Sequence, residues 1–278
     1  MPRIQSSDTS PVAVRYGPAP YTPHPLMNPR QEKLIQIART RGPVSLEDLA
    51  GLLKVSVQTV RRDVQQLAQV GQLVRFHGGV RAGATAENIT YQQRETLNAE
   101  AKSRIARAVA ASIPNDCSLM LTVGTTTCAV ARELRGHRGL RVVTNDMAIA
   151  QILSGNRDIE VHMCGGFVRA RDHAIVGEAA VDFVRQFRFD TVIIGVAGIE
   201  PDGSMRDFDY REVKVTEAAI AHSRQVWVVA DASKFERRAM VEVAHISKVN
   251  ALFTDAPPPG PLAALLAEAA VAVEIADA

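Results

Sequence analysis

The sequence is poor in cysteine, in aromatic residues and in net charge. Its 278 residues include three cysteines, an aromatic share of 5% and a formal net charge of +2. Three widely spaced cysteines form neither a disulfide framework nor a metal-binding pair, which fits a reducing cytoplasm. A net charge so close to zero does not by itself indicate a polyanionic partner.

Long apolar runs are also missing. No stretch approaches the ~20 residues that a membrane-spanning helix needs, and residues 1–28 lack the apolar core of a secretory signal. We therefore expect a cytoplasmic protein without a membrane partner. The hydrophobic share of 46% is enough for a packed core, and the length indicates about two domains.

Positive charge is concentrated towards the N-terminus. Between Arg30 and Arg81 there are nine basic and four acidic residues, which leaves a local charge of +5. A patch of this kind is typical of a protein that binds the phosphate backbone of nucleic acid. Six prolines in residues 1–28 indicate that residues 1–26 form a disordered arm before this patch.

Three helices and a β-hairpin are predicted for residues 27–82. Apolar residues recur at helical spacing after Arg30, after Ser45 and after Ser56, and the two serines are typical N-cap residues. A strand, a Gly-Gly turn and a return strand that reaches Arg81 then follow. Helices and a hairpin in this order predict a winged helix-turn-helix, which places its last helix in the major groove of DNA.

The third predicted helix carries side chains suited to DNA. Gln58 can pair with adenine through two hydrogen bonds, and Thr59 can contact a thymine methyl group. One of Arg61 and Arg62 can reach a guanine and the other a phosphate. The candidate DNA-binding residues are Ser45, Ser56, Val57, Gln58, Thr59, Arg61, Arg62, Arg75, His77 and Arg81. The alternative is that the arginine pair only forms a solvated helix face.

An α/β pattern follows a predicted linker at residues 83–100. From residue 101 to residue 278, short apolar strands alternate with helical segments. This alternation indicates a mainly parallel sheet with helices on both faces. The expected fold class is therefore a multidomain α/β protein, with an N-terminal winged helix-turn-helix followed by a C-terminal, mainly parallel α/β domain.

Polar residues follow several of the predicted strands. The segment Gly124-Thr125-Thr126-Thr127 lies between a strand and a helix, where glycine admits an anion and the helix N-terminus attracts it. Because ligands bind at the carboxyl ends of parallel strands, we expect further residues to join this segment. These are Thr144, Asn145, Gly165, Gly166, Glu178, Asp207, Asp209, Lys214, Asp231 and Lys234. The set predicts a small phosphorylated ligand; alternatively, the turn only caps its helix and Lys214 is a surface residue.

The N-terminal half resembles the DeoR family of bacterial repressors. The resemblance is carried by Ser56-Val57-Gln58-Thr59-Val60-Arg61-Arg62-Asp63, followed by His77-Gly78-Gly79-Val80. It implies that the region from Val44 to Asp63 is the helix-turn-helix. Effector domains of this family are similar in fold to ribose-phosphate isomerases and coenzyme A transferases and bind sugar phosphates, so the resemblance implies the same for the C-terminal half.

The resemblance continues to the end of the chain. It is carried there by Gly177-Glu178-Ala179, Asp182-Phe183, Gln186-Phe187-Arg188, Asp202-Gly203-Ser204, Phe208-Asp209-Tyr210, Glu212-Val213, Asp231 to Phe235 and Thr254 to Pro259. These stretches are most similar to family members that respond to glycerol 3-phosphate, which implies this compound as the inducer. Because one winged helix contacts few bases, we expect a dimer or tetramer on double-stranded operator DNA.

The main alternative is an enzyme, namely a sugar-phosphate isomerase with an accessory DNA-binding domain. His173, Glu178, Asp207 and Asp209 are candidate bases, but no spacing singles out a catalytic pair. We therefore predict a repressor that senses a metabolite, with no catalytic residues, cofactor or metal site. A response to another sugar phosphate, and an α/β domain that binds no ligand, remain open alternatives.

Overall fold

The chain divides into two compact units, Met1–Gly83 and Ala84–Ala278. The computed structural model describes residues 28–41, 43–69, 73–76, 78–82, 91–235 and 237–277. The predicted arm at residues 1–26, His77 and the predicted linker up to residue 90 lie outside the described residues. No helix in the described ranges is long and apolar enough to cross a membrane. The same ranges contain no cluster of three or more His, Cys, Asp or Glu side chains that could hold a metal ion.

The first unit is a winged helix. Its helices and strands are α1 Pro29–Arg41, β1 Val44–Ser45, α2 Leu46–Leu53, α3 Val57–Gln69, β2 Leu73–Phe76 and β3 Gly79–Ala82. The strands pair antiparallel in the order β1-β3-β2. Apolar residues at helical spacing, among them Leu34, Leu49 and Val64, are buried in one core. The predicted winged helix-turn-helix is confirmed.

The second unit alternates strands with helices. In chain order its elements are α4 Tyr91–Thr96, α5 Ala99–Ser112, β4 Ser118–Leu121, α6 Thr125–Glu133, β5 Leu140–Thr144, α7 Met147–Leu153, β6 Ile159–Met163, β7 Phe167–Val168, β8 Ile175–Val176, α8 Glu178–Arg185, β9 Phe189–Gly195, β10 Gly198–Ile199, β11 Ser204–Asp207, α9 Tyr210–Ala221, β12 Ser223–Val229, β13 Val241–His245, β14 Ala251–Thr254, α10 Gly260–Glu268 and β15 Ala272–Ile275. The apolar strands between helical segments are therefore present as predicted.

One large sheet carries this unit, and all its neighbouring strands are parallel. Its strand order is β15-β14-β12-β9-β4-β5-β6. The chain starts at β4 and adds β5 and β6 on one side, and it then returns to place β9, β12, β14 and β15 on the other. The direction of strand addition thus reverses between β4 and β9. In open parallel sheets, ligands bind at the carboxyl ends of the strands at such a reversal.

Both faces of the sheet are covered by helices. Leu119, Leu121 and Ile193 pack in one apolar cluster with residues of α5, α6 and α7. Met120 and Val192, which alternate with them along the strands, pack in a second cluster with residues of α8, α9 and α10. The predicted mainly parallel sheet with helices on both faces is confirmed.

Short antiparallel strands are an addition that the alternation did not predict. β7 pairs with β8, and β10, β11 and β13 form a small sheet of their own. These strands are two to five residues long, which is too short for a periodic apolar pattern. The predicted linker also differs from the structure, because α4 and the start of α5 occupy residues 91–100. This stretch is mostly polar, so its sequence resembles a loop.

Candidate functional site

The two helices of the predicted helix-turn-helix begin at serine caps. The Ser45 hydroxyl accepts a hydrogen bond from the Asp48 N–H at 3.0 Å, and the Ser56 hydroxyl accepts one from the Thr59 N–H at 3.2 Å. Between the helices, Lys54 ends α2 in the left-handed conformation with φ +54°. These caps hold the turn and fix the direction in which α3 leaves it.

The outward face of α3 is positively charged. Gln58, Arg61 and Arg62 are exposed, whereas Asp63, the one acidic residue of this helix, is buried. Asp63 accepts a hydrogen bond from the Arg30 guanidinium at 2.6 Å, so its charge is paired inside the unit. The helix therefore presents two guanidinium groups and a carboxamide to solvent.

The remaining predicted DNA-binding residues lie at the start of α3 and on the wing. Val57 and Thr59 are partly exposed in the first turn of α3, and Arg75 is exposed on β2. His77 and the side chain of Arg81 lie outside the described residues. The arrangement is suited to groove contacts from α3 and backbone contacts from the wing.

A cavity of about 270 Å³ opens in the second unit where the strand order reverses. Residues 123–126, which follow β4, and residues 195–197, at the end of β9 and just after it, form part of its lining. Further walls come from the segment of α4 and α5 and from the turns after β11 and β12. Pockets for drug-sized ligands measure about 300–1,000 Å³, so this cavity suits a smaller molecule.

The N-terminus of α6 lies at the cavity. Thr125 and Thr126 are its first two residues and line the cavity, and no described side chain caps the helix there. Gly124 precedes them, and a Cβ atom at this position would lie 2.9 Å from the Thr127 hydroxyl oxygen. N–H groups at the start of a helix attract anions. The turn is therefore suited to a phosphate group.

Basic side chains line the same cavity. They are Arg94, Lys102, Arg171, Lys234 and Arg237. Lys102 is 5% exposed and donates a hydrogen bond to the Leu97 carbonyl oxygen at 2.6 Å. Burial lowers the pKa of Lys102, and burial together with the charge of Arg237 lowers the pKa of Lys234 to about 8. A bound anion would stabilise the charge on both amines.

Carboxylates line the cavity as well. They are Asp172, Asp207, Glu212 and Asp231. Burial raises the pKa of Asp207, and burial together with the charge of Asp207 raises the pKa of Glu212 to about 8. Burial also opposes the charge of Asp231, but Lys234 and hydrogen bonds from Ser233 and Asn98 outweigh it and lower its pKa. Carboxylates accept hydrogen bonds from hydroxyl groups, so the cavity is suited to a hydroxylated anion.

The structure places some of the predicted effector-binding residues together in the cavity lining. These are Gly124, Thr125, Thr126, Asp207, Asp231 and Lys234. Three others form hydrogen bonds with the turn or with the end of β4. The hydroxyl groups of Thr127 and Thr144 donate to backbone carbonyl oxygens at 2.8 Å, and the Asn145 side chain accepts the Val123 N–H at 3.2 Å. Their polar groups thus satisfy buried backbone rather than face the cavity.

The other predicted residues lie outside the lining that the described ranges form. Gly165 and Gly166 follow β6, the edge strand, two strands away from the reversal, and Glu178 is the first residue of α8. Asp209 caps α9 by accepting the N–H of residue 211 at 2.9 Å. Lys214 forms an ion pair at 2.7 Å with residue 217 of the same helix. These positions do not belong to the strand ends at the reversal, which explains their separation from the cavity.

Sequence reasoning missed a group of lining residues. They are Tyr91, Arg94, Asn98, Lys102, Arg171, Asp172, Glu212 and Arg237. One signal was present, because Lys102 shares the buried face of α5 with Ile105, Ala106 and Val109. A lysine in the apolar face of a helix is rare and needs polar partners. The other missed residues lie in polar stretches without a comparable pattern.

A buried arginine adjoins the cavity. The Arg169 side chain is 6% exposed and contacts Asp172 at 2.7 Å, Asp209 at 2.9 Å and Glu212. Arg94 reaches Asp172 as well, at 3.5 Å. Asp172 and Glu212 both line the cavity, whereas Arg169 does not. Arg169 therefore holds two of the cavity carboxylates in place from outside the lining.

A basic helix-turn-helix, joined in one chain to an α/β unit with an anion-suited cavity, is the organisation of a transcriptional regulator that senses a small molecule. Comparison with family models gives the same division. Residues 30–85 match the DeoR-like helix-turn-helix domain, and residues 97–256 match the DeoR C terminal sensor domain. The chain belongs to the DeoR family of transcriptional repressors, and it is a regulator rather than an enzyme.

Similar proteins cover nearly the whole chain. The glycerol-3-phosphate regulon repressor of Escherichia coli (strain K12) is 42% identical over 88% of this chain and 98% of its own length. The repressor of the same name from Haemophilus influenzae is 44% identical over 83% of this chain and 90% of its own length. The repressor CsqR of Escherichia coli (strain K12) is 39% identical over 88% and 94% of the two chains.

Two solved structures overlap with parts of the chain at low TM-scores. Ribose 5 phosphate isomerase A from Neisseria gonorrhoeae has a TM-score of 0.37 at 16% identity, over 52% of this chain and 55% of its own. A translation initiation factor eIF-2B from Pyrococcus horikoshii has a TM-score of 0.43 at 16% identity, over 81% and 86% of the two chains. The fold described above rests on the strand order and register of the chain itself.

Proposed function

We propose that this repressor controls genes of glycerol 3-phosphate metabolism and leaves its operator when glycerol 3-phosphate occupies the cavity. The observation that carries the proposal is the presence of the α6 N-terminus, Lys102 and Lys234 in one small cavity. Similarity to two glycerol-3-phosphate regulon repressors supports the choice of ligand. The small cavity volume is consistent with a three-carbon phosphate.

The two ends of such a ligand need different partners. In the proposed complex, the phosphate accepts hydrogen bonds from the Thr125 and Thr126 N–H groups and is balanced by Lys234. The two hydroxyl groups donate to Asp207 and Asp231, which are acceptors when ionised. The proposal thus assigns the phosphate to the helix N-terminus and the hydroxyl groups to the carboxylates.

The proposal also assigns a role to each unit. Residues 27–82 bind operator DNA through α3, its preceding turn and the wing, and residues 101–278 form the body of the effector domain. Part of the predicted linker, residues 83–100, is assigned to the effector domain in this proposal, which is supported by the α4 residues in the cavity lining. We further propose a dimer or tetramer, which lets two heads occupy paired half-sites.

Calorimetry of the full-length chain tests the mechanism directly. Glycerol 3-phosphate is titrated into the protein with and without operator DNA selected from a random pool. Thermodynamic reciprocity requires operator to weaken ligand binding by the factor by which ligand weakens operator binding, typically about 5–150-fold. Equal ligand affinities with and without operator DNA would contradict release of the repressor by the ligand. Ribose and hexose phosphates serve as parallel arms, and if none of the phosphates binds, the effector domain has another role.

Replacement of Arg61 by alanine is expected to weaken operator binding. If its guanidinium reads a guanine, Arg61→Ala costs about 1–3 kcal/mol, which corresponds to a 5- to 150-fold rise in operator Kd. Fluorescence anisotropy with labelled operator measures the change. Arg107→Ala, which removes an exposed arginine from α5, is the matched control. Equal Kd values for the two variants would show that Arg61 does not contact the operator.

Ligand affinity is expected to fall as the pH rises through about 8. The lowered pKa of Lys234, about 8, means that its amine loses its charge there, and an uncharged amine no longer balances the phosphate. The phosphate itself is dianionic above its second pKa of about 6. Binding should therefore be strongest between about pH 6 and pH 8. Calorimetry from about pH 6 to about pH 10 measures the profile on both sides of the Lys234 pKa. Lys234→Arg should retain affinity above about pH 8, because arginine keeps its charge there. An affinity of the natural chain that does not fall above about pH 8 would contradict the assignment.

A further inference from the structure

Tyr91 connects the start of the second unit to the interior of the effector domain. It is the first residue of α4, the first helix of the second unit. Its hydroxyl group lies 3.0 Å from the Sγ atom of Cys128, which is fully buried on α6. This contact joins the first residue of α4 to the interior of α6, the helix whose N-terminus lies at the cavity, and an ion pair between Glu95 and Arg132 joins the same two helices at their surface.

The contact is one end of a continuous chain of hydrogen bonds. The Cys128 thiol donates to Oδ2 of Asp146 at 3.6 Å, and the same oxygen accepts the Gly124 N–H at 3.3 Å. Since the single thiol proton goes to Asp146, the Tyr91 hydroxyl donates to the sulfur. The chain therefore runs from the cavity turn at Gly124, through Asp146 and Cys128, to the first residue of α4.

The thiol and the hydroxyl group in this chain of hydrogen bonds keep their protons. Burial raises the pKa of the Cys128 thiol and of the Tyr91 hydroxyl, and the charge of Asp146 adds to both effects. Both groups therefore keep their protons at neutral pH and can act as donors. Asp146 is held in place because its other oxygen accepts the Ala148 N–H at 2.8 Å at the start of α7.

The far end of the same segment is also anchored at the cavity. Asn98 occupies the N-cap position of α5, yet its side chain makes no cap hydrogen bond. Instead, its amide donates to Oδ1 of Asp231 at 2.9 Å. Asp231 lines the cavity, so the segment from Tyr91 to Asn98 is attached to the effector site at both ends.

We propose that the segment from Tyr91 to Asn98 transmits cavity occupancy to the DNA-binding unit, and that the hydrogen bonds linking Gly124, Asp146, Cys128 and Tyr91 are its coupling contact. The inference rests on the proposed function, since it takes a phosphorylated ligand at the α6 N-terminus as the input. An anion bound there accepts hydrogen bonds from the N–H groups of the turn and shifts Gly124. The hydrogen-bonded side chains transmit this shift to α4. Such an element changes the coupling between two sites without contacting operator DNA.

Substitution of Cys128 separates coupling from ligand binding. Cys128→Ala removes the sulfur that joins Tyr91 to Asp146, Cys128→Ser restores a donor and acceptor, and Cys164→Ala removes a second buried thiol as the matched control. Operator Kd is measured for each full-length variant with and without glycerol 3-phosphate, and the coupling factor is the ratio of the two values. We expect the alanine variant at Cys128 to lose at least about fivefold of this factor, and the other two to keep it.

The outcomes separate the two proposals. Calorimetric binding of glycerol 3-phosphate by every variant, with an unchanged coupling factor in Cys128→Ala, overturns the inference and leaves the proposed function standing. An equal loss in Cys164→Ala also overturns it. Tyr91→Phe removes the same bond from its other end, so it replaces Cys128→Ala if that variant does not fold. If glycerol 3-phosphate does not bind the natural chain, the proposed function fails. Inorganic phosphate is then used as the probe. The inference requires that phosphate protects the α4 amide groups of the natural chain from hydrogen exchange and that this protection is lost in Cys128→Ala.

Discussion

Substitution of Arg169 by methionine is expected to lower the free energy of unfolding by about 3–5 kcal/mol near neutral pH. The natural side chain is 6% exposed and contacts Asp172, Asp209 and Glu212. Methionine fills a similar volume but removes the cation that contacts Glu212, while Asp172 keeps Arg94 and Asp209 keeps Arg211. Breaking a buried ion pair by removing one partner is strongly destabilising. Urea denaturation, followed by circular dichroism, measures the loss.

The same variant should recover part of its deficit in acid. Burial opposes the charge of Asp209, but Arg211 and Arg169 outweigh it and hold the pKa of that carboxyl well below its usual range. Such a group stabilises the fold above its unfolded pKa of about 3.9, and this contribution is lost as the pH falls through the folded pKa. As the pH falls, the natural chain therefore loses a stabilising interaction that the variant already lacks. The difference in unfolding free energy between the two proteins then becomes smaller. Arg185→Met, at an exposed ion pair with Asp182, is the control and should change stability by less than about 1 kcal/mol.

Substitution of Lys234 by methionine is expected to weaken glycerol 3-phosphate binding by about ten- to a hundredfold. A hydrogen bond from a charged group contributes about 1.5–3 kcal/mol, and the methionine variant cannot supply one. The chain should then remain on its operator at ligand concentrations that release the natural protein. Calorimetry gives the ligand affinity, and a reporter gene gives the loss of induction.

Lys214→Met is the matched control for this change. Lys214 carries the same charge but lies on α9 outside the cavity lining, paired with Glu217. Lys214→Met should change the ligand affinity by less than about twofold relative to the natural chain, because an exposed ion pair contributes little. An equal loss of ligand affinity in the Lys214 and Lys234 variants would show that the effector site does not lie at the strand reversal.

The general fold was readable from the sequence because its strongest determinants are local. Ser45 and Ser56 cap their helices as their spacing predicts, since N-cap preference depends on a single turn of backbone. The buried parallel strands appear as continuous apolar runs because both of their faces are covered. The turn at Gly124 was readable for the same reason, as it lies between a strand and a helix.

Other site residues were not readable because their positions depend on tertiary packing. Arg94 and Asn98 lie in a polar stretch that resembles a linker, and the cavity that they line is assembled from distant strand ends. Asp63 looks like part of a charged helix face, yet its pairing with Arg30, 33 residues earlier, turns it inward. The periodicity of a sequence indicates which face of a helix a residue lies on. It does not indicate that the residue pairs with a side chain far away in the sequence.

The reversal of strand order between β4 and β9 has a consequence for how such repressors diversify. The cavity walls come from separate turns, after β4, β9, β11 and β12 and from the segment of α4 and α5, while the sheet beneath them supplies the buried core. Selection can therefore exchange one wall at a time and retune which metabolite is sensed, without rebuilding the fold that keeps the protein stable. A new regulatory specificity requires a few substitutions at one edge of the sheet, and the proposed operator-binding surface on α3 can evolve independently of them.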